Sequence, residues 1–270
     1  MARTAQPARS TAGGLRGELR TVRHMLFPRT RGTTAAERME SYYGPTAHVY
    51  DAFRADDRLL HGRRALMRML PLSPGDRLID LGGGTGANIE HLEGSARSAC
   101  SRITVVDVSP SMLRVARGRI ERHGWRNVEA VAGDATCYRP PDGTEPADVV
   151  VFSYVLTMVP DWFAAVERAD ALLRPGGTLA VCDFHVARRR PAPGMARHAL
   201  WRRHLWPLWF AHNDVYLSPD HLPFLRARFE TVHLSERLAR VAYLPARVPH
   251  YLFLGRKPTA VPTPAPSPSP

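Results

Sequence analysis

Residues 78–86 read Leu-Ile-Asp-Leu-Gly-Gly-Gly-Thr-Gly, a short apolar run that ends in glycines. Glycine permits tight turns and lets the backbone approach a ligand closely. A strand that ends in such a loop predicts a doubly wound α/β sheet, which binds ligands at the carboxyl ends of its strands. Because Gly82, Gly84 and Ala87 also satisfy the dinucleotide pattern G-x-G-x-x-G/A, the loop alone fits a nicotinamide site and a sulfonium-cofactor site equally well.

Short apolar segments alternate with helical patterns along the central part of the chain, as expected for a parallel sheet. The predicted strands are 77–81, 102–107, 128–132, 148–152, 178–184, 229–234 and 250–256. Helices are predicted over 50–70, directly after the glycine loop, from a Ser109 cap to Gly124, and from an Asp161 cap to Leu173. Pro175-Gly176-Gly177 then predicts a turn into the next strand.

The two ends of the chain differ from its centre in composition. Residues 1–35 carry seven arginines and one glutamate, which predicts a basic, disordered arm. Residues 258–270 alternate Pro with Ala, Thr and Ser, which predicts a disordered tail. The domain between them, 36–257, is expected to carry an N-terminal helical cap and an insertion at about 185–225.

The chain holds 37 Lys and Arg against 25 Asp and Glu, a formal net charge of +12. This charge predicts attraction to an anionic partner, either nucleic acid or an anionic membrane. Cys100, Cys137 and Cys182 are few and widely spaced, so we predict neither a disulfide framework nor a metal site, and we expect a cytoplasmic protein. No apolar run is long enough to predict a transmembrane helix.

Residues that follow neighbouring strands are candidates for one shared crevice. Asp107 ends the second strand, where a carboxylate can accept the ribose hydroxyls of an adenosine. Asp134 can accept a hydrogen bond from the adenine amino group, or it can stabilise only its own turn. Asp80 stands where a dehydrogenase usually has an apolar residue, and it can face a cationic amino-acid moiety. The predicted cofactor-binding residues are Asp80, Gly82, Gly84, Gly86, Asp107, Val108, Met112, Asp134, Ala135 and Ser153.

The combination of residues 80–86, Asp107, Gly133-Asp134-Ala135 and residues 173–177 resembles the class I S-adenosylmethionine-dependent methyltransferases. The resemblance implies S-adenosylmethionine as cofactor. It also implies a seven-stranded, mostly parallel sheet of order 3-2-1-4-5-7-6 with an antiparallel last strand. A nicotinamide-dependent oxidoreductase and a non-catalytic RNA-binding protein are the alternatives from other classes.

Three further segments, residues 50–63, 209–222 and 243–256, resemble bacterial betaine-lipid N-methyltransferases. That resemblance implies trimethylation of the amino group of diacylglyceryl homoserine, a lipid that a separate diacylglyceryl homoserine synthase supplies. The first segment departs from the family pattern, because Ala55-Asp56-Asp57 follows Arg54 where the family usually has Lys or Arg and then Tyr-Tyr. Methylation of a small soluble metabolite is the alternative within the same class of enzyme.

Methyl transfer to an amine requires a neutral nitrogen held in line with the methyl group and sulfur, so no strong base is obligatory. Aromatic faces attract a quaternary ammonium product, and an arginine fork suits a head-group carboxylate. The candidate catalytic residues are Tyr50, Arg54 and Tyr154. The candidate substrate residues are Tyr50, Arg54, Trp209, Tyr216 and Arg247, with Tyr154 and Trp201 as further aromatic candidates and His61, His185, His212 and His250 as candidate proton relays.

Residues 188–210 interleave six arginines with three tryptophans. This pattern suits a membrane interface, where indoles lie at head-group level and cations meet anionic lipid. It also suits RNA phosphates and bases, or a lid helix that buries its tryptophans. We expect a peripheral protein at the inner face of the membrane, with a lipid amine as substrate, and we do not expect nucleic acid as a partner.

Overall fold

The computed structural model describes residues 32–44, 61–141, 143–212, 214–240 and 247–259. Seven strands form one sheet of order β3-β2-β1-β4-β5-β7-β6. Strand β7 is antiparallel to β5 and β6, and the other neighbours are parallel, so the predicted sheet is confirmed. The strands are β1 (Arg77–Leu81), β2 (Arg102–Asp107), β3 (Val128–Ala132), β4 (Ala147–Ser153), β5 (Leu173–Phe184), β6 (Glu230–Arg240) and β7 (Arg247–Arg256).

Helices cover both faces of this sheet. They are α1 (Ala35–Tyr43), α2 (His61–Arg68), α3 (Gly94–Ala99), α4 (Pro110–His123), α5 (Trp162–Leu172), α6 (Leu200–Ala211) and α7 (His221–Arg228). The predicted caps are confirmed: Ser109 Oγ accepts the Met112 N–H at 3.2 Å, and Asp161 Oδ1 accepts the Ala164 N–H at 3.2 Å. Gly124 ends α4 with a φ of 61°, as a left-handed helix cap requires.

The core consists of two apolar layers, one on each face of the sheet. Val166 of α5 and Leu225 of α7 pack with Phe152 on one face. Leu66 of α2 packs with Ile103 and other strand residues on the opposite face. Strands β4 and β5 are therefore buried on both sides, which accounts for their nearly continuous apolar sequence.

Two local predictions around turns are wrong. No α-helix directly follows the glycine loop; residues Ala87–His91 form a 3-10 turn, in which the Ile89 N–H donates to the Gly86 carbonyl at 3.1 Å. Pro175-Gly176-Gly177 is not a turn before the strand but an irregularity inside β5, which already pairs with β4 at Leu173. Gly176 makes this possible because its φ is 75°, a conformation that other residues rarely adopt.

Strands β6 and β7 are longer than predicted, since they pair with each other from Glu230 and Arg256 to Arg240 and Arg247. The added parts of both strands contain polar residues, so a search for apolar runs does not find them. The segment between β5 and β6 holds α6 and α7, in the region of the predicted insertion. Of the predicted helix 50–70, residues 50–60 lie outside the described residues, as do most of the predicted arm and tail. Within the described part of the chain, no helix combines the length and apolar character needed to cross a membrane.

Candidate active site

A cavity of about 380 Å³ opens at the carboxyl ends of β1 to β4, beside the glycine loop. Doubly wound sheets bind ligands at this edge. Helices α1 and α2 form the opposite wall. Eight of the ten predicted cofactor-binding residues line the cavity: Gly82, Gly84, Asp107, Val108, Met112, Asp134, Ala135 and Ser153.

The glycine loop presents bare backbone to this cavity. The N–H groups of Gly82 and Gly83 donate to the Val106 carbonyl at 2.8 and 3.0 Å, which ties the loop to the end of β2. Gly82 and Gly84 have φ values of 71° and 58°, in the region that favours glycine. Among the described residues, a Cβ on Gly84 would approach only the Asp107 carboxylate, at 3.9 Å. A ligand can therefore lie directly against the loop.

Asp80 supports the loop from behind. It is fully buried, and its two carboxylate oxygens accept hydrogen bonds from Asn88 Nδ2 at 3.0 and 2.8 Å. A Cβ on Gly83 would come within 2.6 Å of Asp80 Oδ2, so only glycine fits between the carboxylate and the cavity. Burial raises the pKa of Asp80 to about 6. Neither Asp80 nor Gly86 lines the cavity, and the contact of Asp80 with a cationic ligand group stays a prediction.

Asp107 connects the loop to helix α4 and also faces the cavity. Its Oδ2 accepts the Gly84 N–H at 2.9 Å and its Oδ1 accepts the Ser109 N–H at 2.8 Å. Burial raises the pKa of this carboxyl, although the same backbone hydrogen bonds oppose that shift. Each carboxylate oxygen has a further lone pair, so Asp107 can still accept ribose hydroxyls.

The ends of β3 and β4 complete the polar lining. Asp134 Oδ1 accepts the N–H and the hydroxyl of Thr136 at 2.8 and 2.7 Å, so Asp134 stabilises its own turn while it lines the cavity. The buried Ser153 hydroxyl has no hydrogen-bond partner among the described residues. Buried polar groups are normally satisfied, so this hydroxyl is available to a ligand or to water.

Of the three candidate catalytic residues, Tyr50 and Arg54 lie outside the described residues, and Tyr154 lines the cavity. Tyr154 has a φ of 59°, an outlier for a bulky side chain of the kind that collects at functional sites. Its N–H donates to the Cys182 carbonyl at 2.7 Å, which holds this turn against β5. Burial raises the pKa of the Tyr154 phenol well above its ordinary value, so the ring stays neutral.

Helix α2 contributes an arginine to the cavity that the sequence analysis did not single out. Arg63 lines the wall, and its buried Nε has no hydrogen-bond partner among the described residues. Gly62 allows this approach, because a Cβ there would lie 2.2 Å from Cys182 Sγ. A guanidinium in this position offers a fork for a carboxylate. The Gly62-Arg63 pair was the available signal, but no local pattern shows that α2 crosses the cavity.

Helix α1, which the sequence analysis also missed, brings Arg38 and Met39 to the cavity. Glu40 on the same helix reaches the N-terminus of α4. Its carboxylate accepts the Ser109 hydroxyl at 2.5 Å, the Ser111 N–H at 3.3 Å and the Ser111 hydroxyl. A carboxylate at a helix N-terminus is electrostatically favourable. We call this set of hydrogen bonds the Glu40 latch.

The sequence did contain a signal for α1. Thr34 and Glu37 form a capping box, in which the Thr34 hydroxyl accepts the Glu37 N–H and the Glu37 carboxylate accepts the Thr34 N–H. Threonine followed three residues later by glutamate is a recognised helix start.

The remaining substrate candidates do not line the cavity. Trp209 packs at the edge of an apolar cluster with its ring against Phe210, at 4.9 Å between centroids. Tyr216 is about half exposed, and its hydroxyl donates to Asp214 Oδ1 at 3.2 Å. Arg247 is exposed at the start of β7. Their roles stay predictions.

Among the candidate proton-relay histidines whose side chains the structure describes, none lines the cofactor cavity. His185 and His250 are buried, and burial lowers the pKa of His185 to about 3, so it is neutral at physiological pH. His185 instead borders a second cavity, where its Nε2 lies 3.5 Å from Glu236 Oε1. His212 is exposed and directly follows α6, and the side chain of His61 is not among those that the structure describes. The relay stays a prediction.

Comparisons with known proteins identify relatives of this fold. The profile of a methyltransferase domain family matches residues 50–243. The demethylmenaquinone methyltransferase of Tropheryma whipplei (strain Twist) is 33% identical over 133 residues, which cover 49% of this chain and 52% of that protein. The ubiquinone/menaquinone biosynthesis C-methyltransferase of Teredinibacter turnerae is 29% identical over 170 residues, covering 60% of this chain and 65% of that protein. The chain thus spans about half the length of the first of these curated relatives and just under two thirds of the second.

Solved structures share the fold at lower identity. The N-methyltransferase NodS from Bradyrhizobium japonicum WM9, in complex with S-adenosyl-L-homocysteine, has a TM-score of 0.56 and 20% identity, covering 77% of this chain and 92% of NodS. The [4+2]-cyclase SpnF has a TM-score of 0.63 and 19% identity, covering 85% of this chain and 98% of SpnF. At these identities the similarity establishes the fold alone.

Proposed function

Because the chain belongs to the class I methyltransferase family, we propose that it transfers methyl groups from S-adenosylmethionine to the amine of a lipid, with diacylglyceryl homoserine as the acceptor. The cavity beside the glycine loop is the observation that carries methyl transfer. When bound, S-adenosylmethionine supplies an electrophilic methyl group on a sulfonium. The family match selects this chemistry over hydride transfer and over RNA binding without catalysis.

The lining residues fit the parts of this cofactor. Asp107 and Asp134 offer carboxylate oxygens for the ribose hydroxyls and the adenine amino group, and the open backbone at Gly84 accommodates close approach. The unpartnered Nε of Arg63 fits the carboxylate of the amino-acid moiety. In this assignment Arg63 supplies the ionic contact, while Asp80 keeps the loop in position.

Apolar side chains and Tyr154 prepare the other end of the cavity for an amine. Val155, Met158 and Val159 lie in its wall and exclude water from the reacting groups. The ring of Tyr154 contacts that of Phe184 at 4.9 Å between centroids, which makes an aromatic wall. Such a wall attracts an ammonium product, whereas the neutral phenol is not a base. The residues therefore act by orientation and by shielding from water.

The lipid part of the proposal is supported by the resemblance to betaine-lipid N-methyltransferases in residues 50–63, 209–222 and 243–256. In the structure, part of the second segment lies near the cavity. The Tyr216 N–H donates to the Thr157 carbonyl at 2.7 Å, beside the cavity-lining Met158. The same reasoning makes a diacylglyceryl homoserine synthase the functional partner and the inner face of the membrane the place of action.

The test is mass spectrometry of total lipids from a host that also makes a diacylglyceryl homoserine synthase. We expect conversion of the homoserine lipid to its trimethylated form. Gly84→Asp should abolish conversion, because it places a carboxylate in the cavity beside Asp107. Gly143→Asp is the matched control, since Gly143 has a φ of 76° and a Cβ there has nothing within 4 Å in the described residues. Unmodified lipid with intact cofactor binding would refute the acceptor and leave the methyltransferase.

Quinone C-methylation is the second candidate, because the curated relatives carry that activity in their names. It predicts that this chain restores methylated menaquinone or ubiquinone in a host that lacks its own quinone methyltransferase. Restored quinone together with unmodified homoserine lipid would select this candidate. A small soluble acceptor predicts neither product, with cofactor binding retained.

A further inference from the structure

Helix α6 has two apolar faces that point in opposite directions. Trp206 and Phe210 are buried and pack with Phe184 in one cluster. Trp201, Leu205 and Leu208 follow the spacing i, i+4 and i+7, which places them on one side of the helix. That side is exposed, with 48%, 46% and 77% of the respective residue surfaces accessible. The lid prediction therefore holds for one face of α6 and leaves the other face unexplained.

A cluster of exposed large apolar residues on one helix is unusual for a soluble domain and marks an interaction site. Leu200, which is 67% exposed, extends the patch at the start of α6. We call Leu200, Trp201, Leu205 and Leu208 the outer α6 patch. It accounts for half of the eight large hydrophobic residues that are exposed in the described part of the chain.

The stretch of sequence that contains the outer α6 patch is strongly basic. Residues 184–213 contain six arginines and no Asp or Glu. The guanidinium of Arg202 lies over the Trp201 ring, 4.8 Å from its centroid. Arg188 pairs with Asp220 at 2.7 Å, whereas Arg189, Arg190 and Arg197 are exposed and have no carboxylate partner among the described residues. Cations beside exposed Trp and Leu match the chemistry of an anionic lipid interface.

We propose that the outer α6 patch docks on the surface of an anionic membrane. Leucine side chains favour this partner over RNA, because Leu205 and Leu208 can enter the acyl boundary but offer no ring on which a base could stack. The inner face of the same helix contacts Phe184, which contacts the cavity-lining Tyr154. Docking through α6 places the membrane against the helix that is connected to the cavity wall through Phe184. The inference deepens the proposed function, since it names the surface that brings a lipid acceptor to the enzyme.

The test measures co-sedimentation of the full chain with vesicles of phosphatidylcholine alone and of phosphatidylcholine mixed with phosphatidylglycerol. Neither lipid has a free amine, so binding is measured independently of methyl transfer. We expect binding to the mixed vesicles. The triple variant Trp201→Ser, Leu205→Ser, Leu208→Ser should bind at least tenfold more weakly. Because these side chains face outward, its thermal unfolding and cofactor affinity should match those of the wild type.

The matched control removes exposed apolar side chains elsewhere, with Met69→Ser and Val232→Ser, and should bind vesicles normally. Equal binding by the triple variant and the wild type would overturn the proposal. A second result would also overturn the proposal: the wild type binds single-stranded RNA but not vesicles, and the triple variant loses that RNA binding. If vesicle binding behaves as expected but the homoserine lipid stays unmodified, the docking surface stands and the lipid acceptor fails.

Discussion

The Glu40 latch makes a quantitative prediction about the cofactor cavity. Helix α1 supplies Arg38 and Met39 to the cavity wall, and Glu40 joins this helix to α4 through Ser109 and Ser111. Glu40→Ala removes all of these hydrogen bonds. Alanine is the best helix former, so the substitution does not weaken α1 itself.

The size of the effect follows from the contacts. Hydrogen bonds to a charged group contribute about 1.5–3 kcal/mol each, and partial exposure of Glu40 reduces the two hydroxyl bonds to about 1 kcal/mol each. The charge at the α4 N-terminus adds about 0.5 kcal/mol, for roughly 2.5 kcal/mol in total. If α1 must be closed for tight binding, S-adenosylmethionine affinity should fall by about tenfold to about 70-fold.

Titration calorimetry of S-adenosylmethionine measures this loss, and hydrogen exchange over residues 35–43 reports the opening of α1. Glu121→Ala is the matched control, because it removes an exposed carboxylate at the far end of α4. Cofactor affinity within about twofold of the wild type, with unchanged exchange in α1, would refute the latch as a determinant of binding.

The latch should also respond to pH. Burial acts to raise the pKa of Glu40, but hydrogen bonds from Ser109 and Ser111 outweigh it and lower the pKa overall. A lowered folded-state pKa means that the stabilisation is present above the ordinary carboxyl range and is lost as pH falls through the folded-state value. The difference in affinity between wild type and Glu40→Ala should therefore shrink in acid.

Three further substitutions test the site. Gly83→Ala should abolish cofactor binding, because its Cβ would lie 2.6 Å from Asp80 Oδ2, whereas Gly118→Ala, measured in the same calorimeter, should not. Arg63→Ala should weaken S-adenosylmethionine binding by roughly tenfold to 100-fold, which is the effect of losing one charge-assisted contact. The control Arg68→Ala, which changes an exposed arginine on the same helix, should bind the cofactor normally. Equal cofactor affinities of Arg63→Ala and the wild type would show that Arg63 does not contact the cofactor. Asp80 has a folded-state pKa of about 6 against an ordinary 3.8, so its contribution to stability is lost as pH rises from about 4 to about 6. Denaturant unfolding should show wild type losing up to about 3 kcal/mol relative to Asp80→Asn across that window, and parallel pH profiles would contradict the assignment.

Strand bounds and helix caps in this protein are encoded largely by local sequence. Strands 77–81, 102–107 and 128–132 have the predicted bounds because each is a short, mostly apolar segment bounded by polar residues or glycine. The Ser109 and Asp161 caps are also local, since each side chain bonds within its own first turn. Strand β6 extends beyond its predicted end because its far half, Ser235-Glu236-Arg237-Leu238-Ala239-Arg240, is mostly polar and is held by pairing with β7.

The tryptophans of residues 188–210 show the limit of composition. The composition of this stretch predicts one shared role for all three: contact with a membrane, contact with RNA, or burial under a lid. The helix period separates them, because Trp206 points into the core while Trp201 points outward.

Most of the strands, the glycine loop and eight residues that line the cofactor cavity are predicted from short stretches of chain, because turns, caps and apolar runs are encoded by neighbours. The sheet order was instead an implication of the family resemblance, and the pairing of strands distant in sequence determines it. The contacts of Arg63, Glu40 and Asp80 cannot be predicted from neighbouring residues. Glu40 meets Ser111 across 71 positions of sequence, and Arg63 reaches the cavity only because Gly62 lets α2 approach β5. Asp80 lies behind Gly83, because the turn of the loop determines which side of the backbone a side chain occupies, and its contact with a cationic ligand group stays a prediction. These contacts depend on how separate elements dock, and docking is a property of the packed fold.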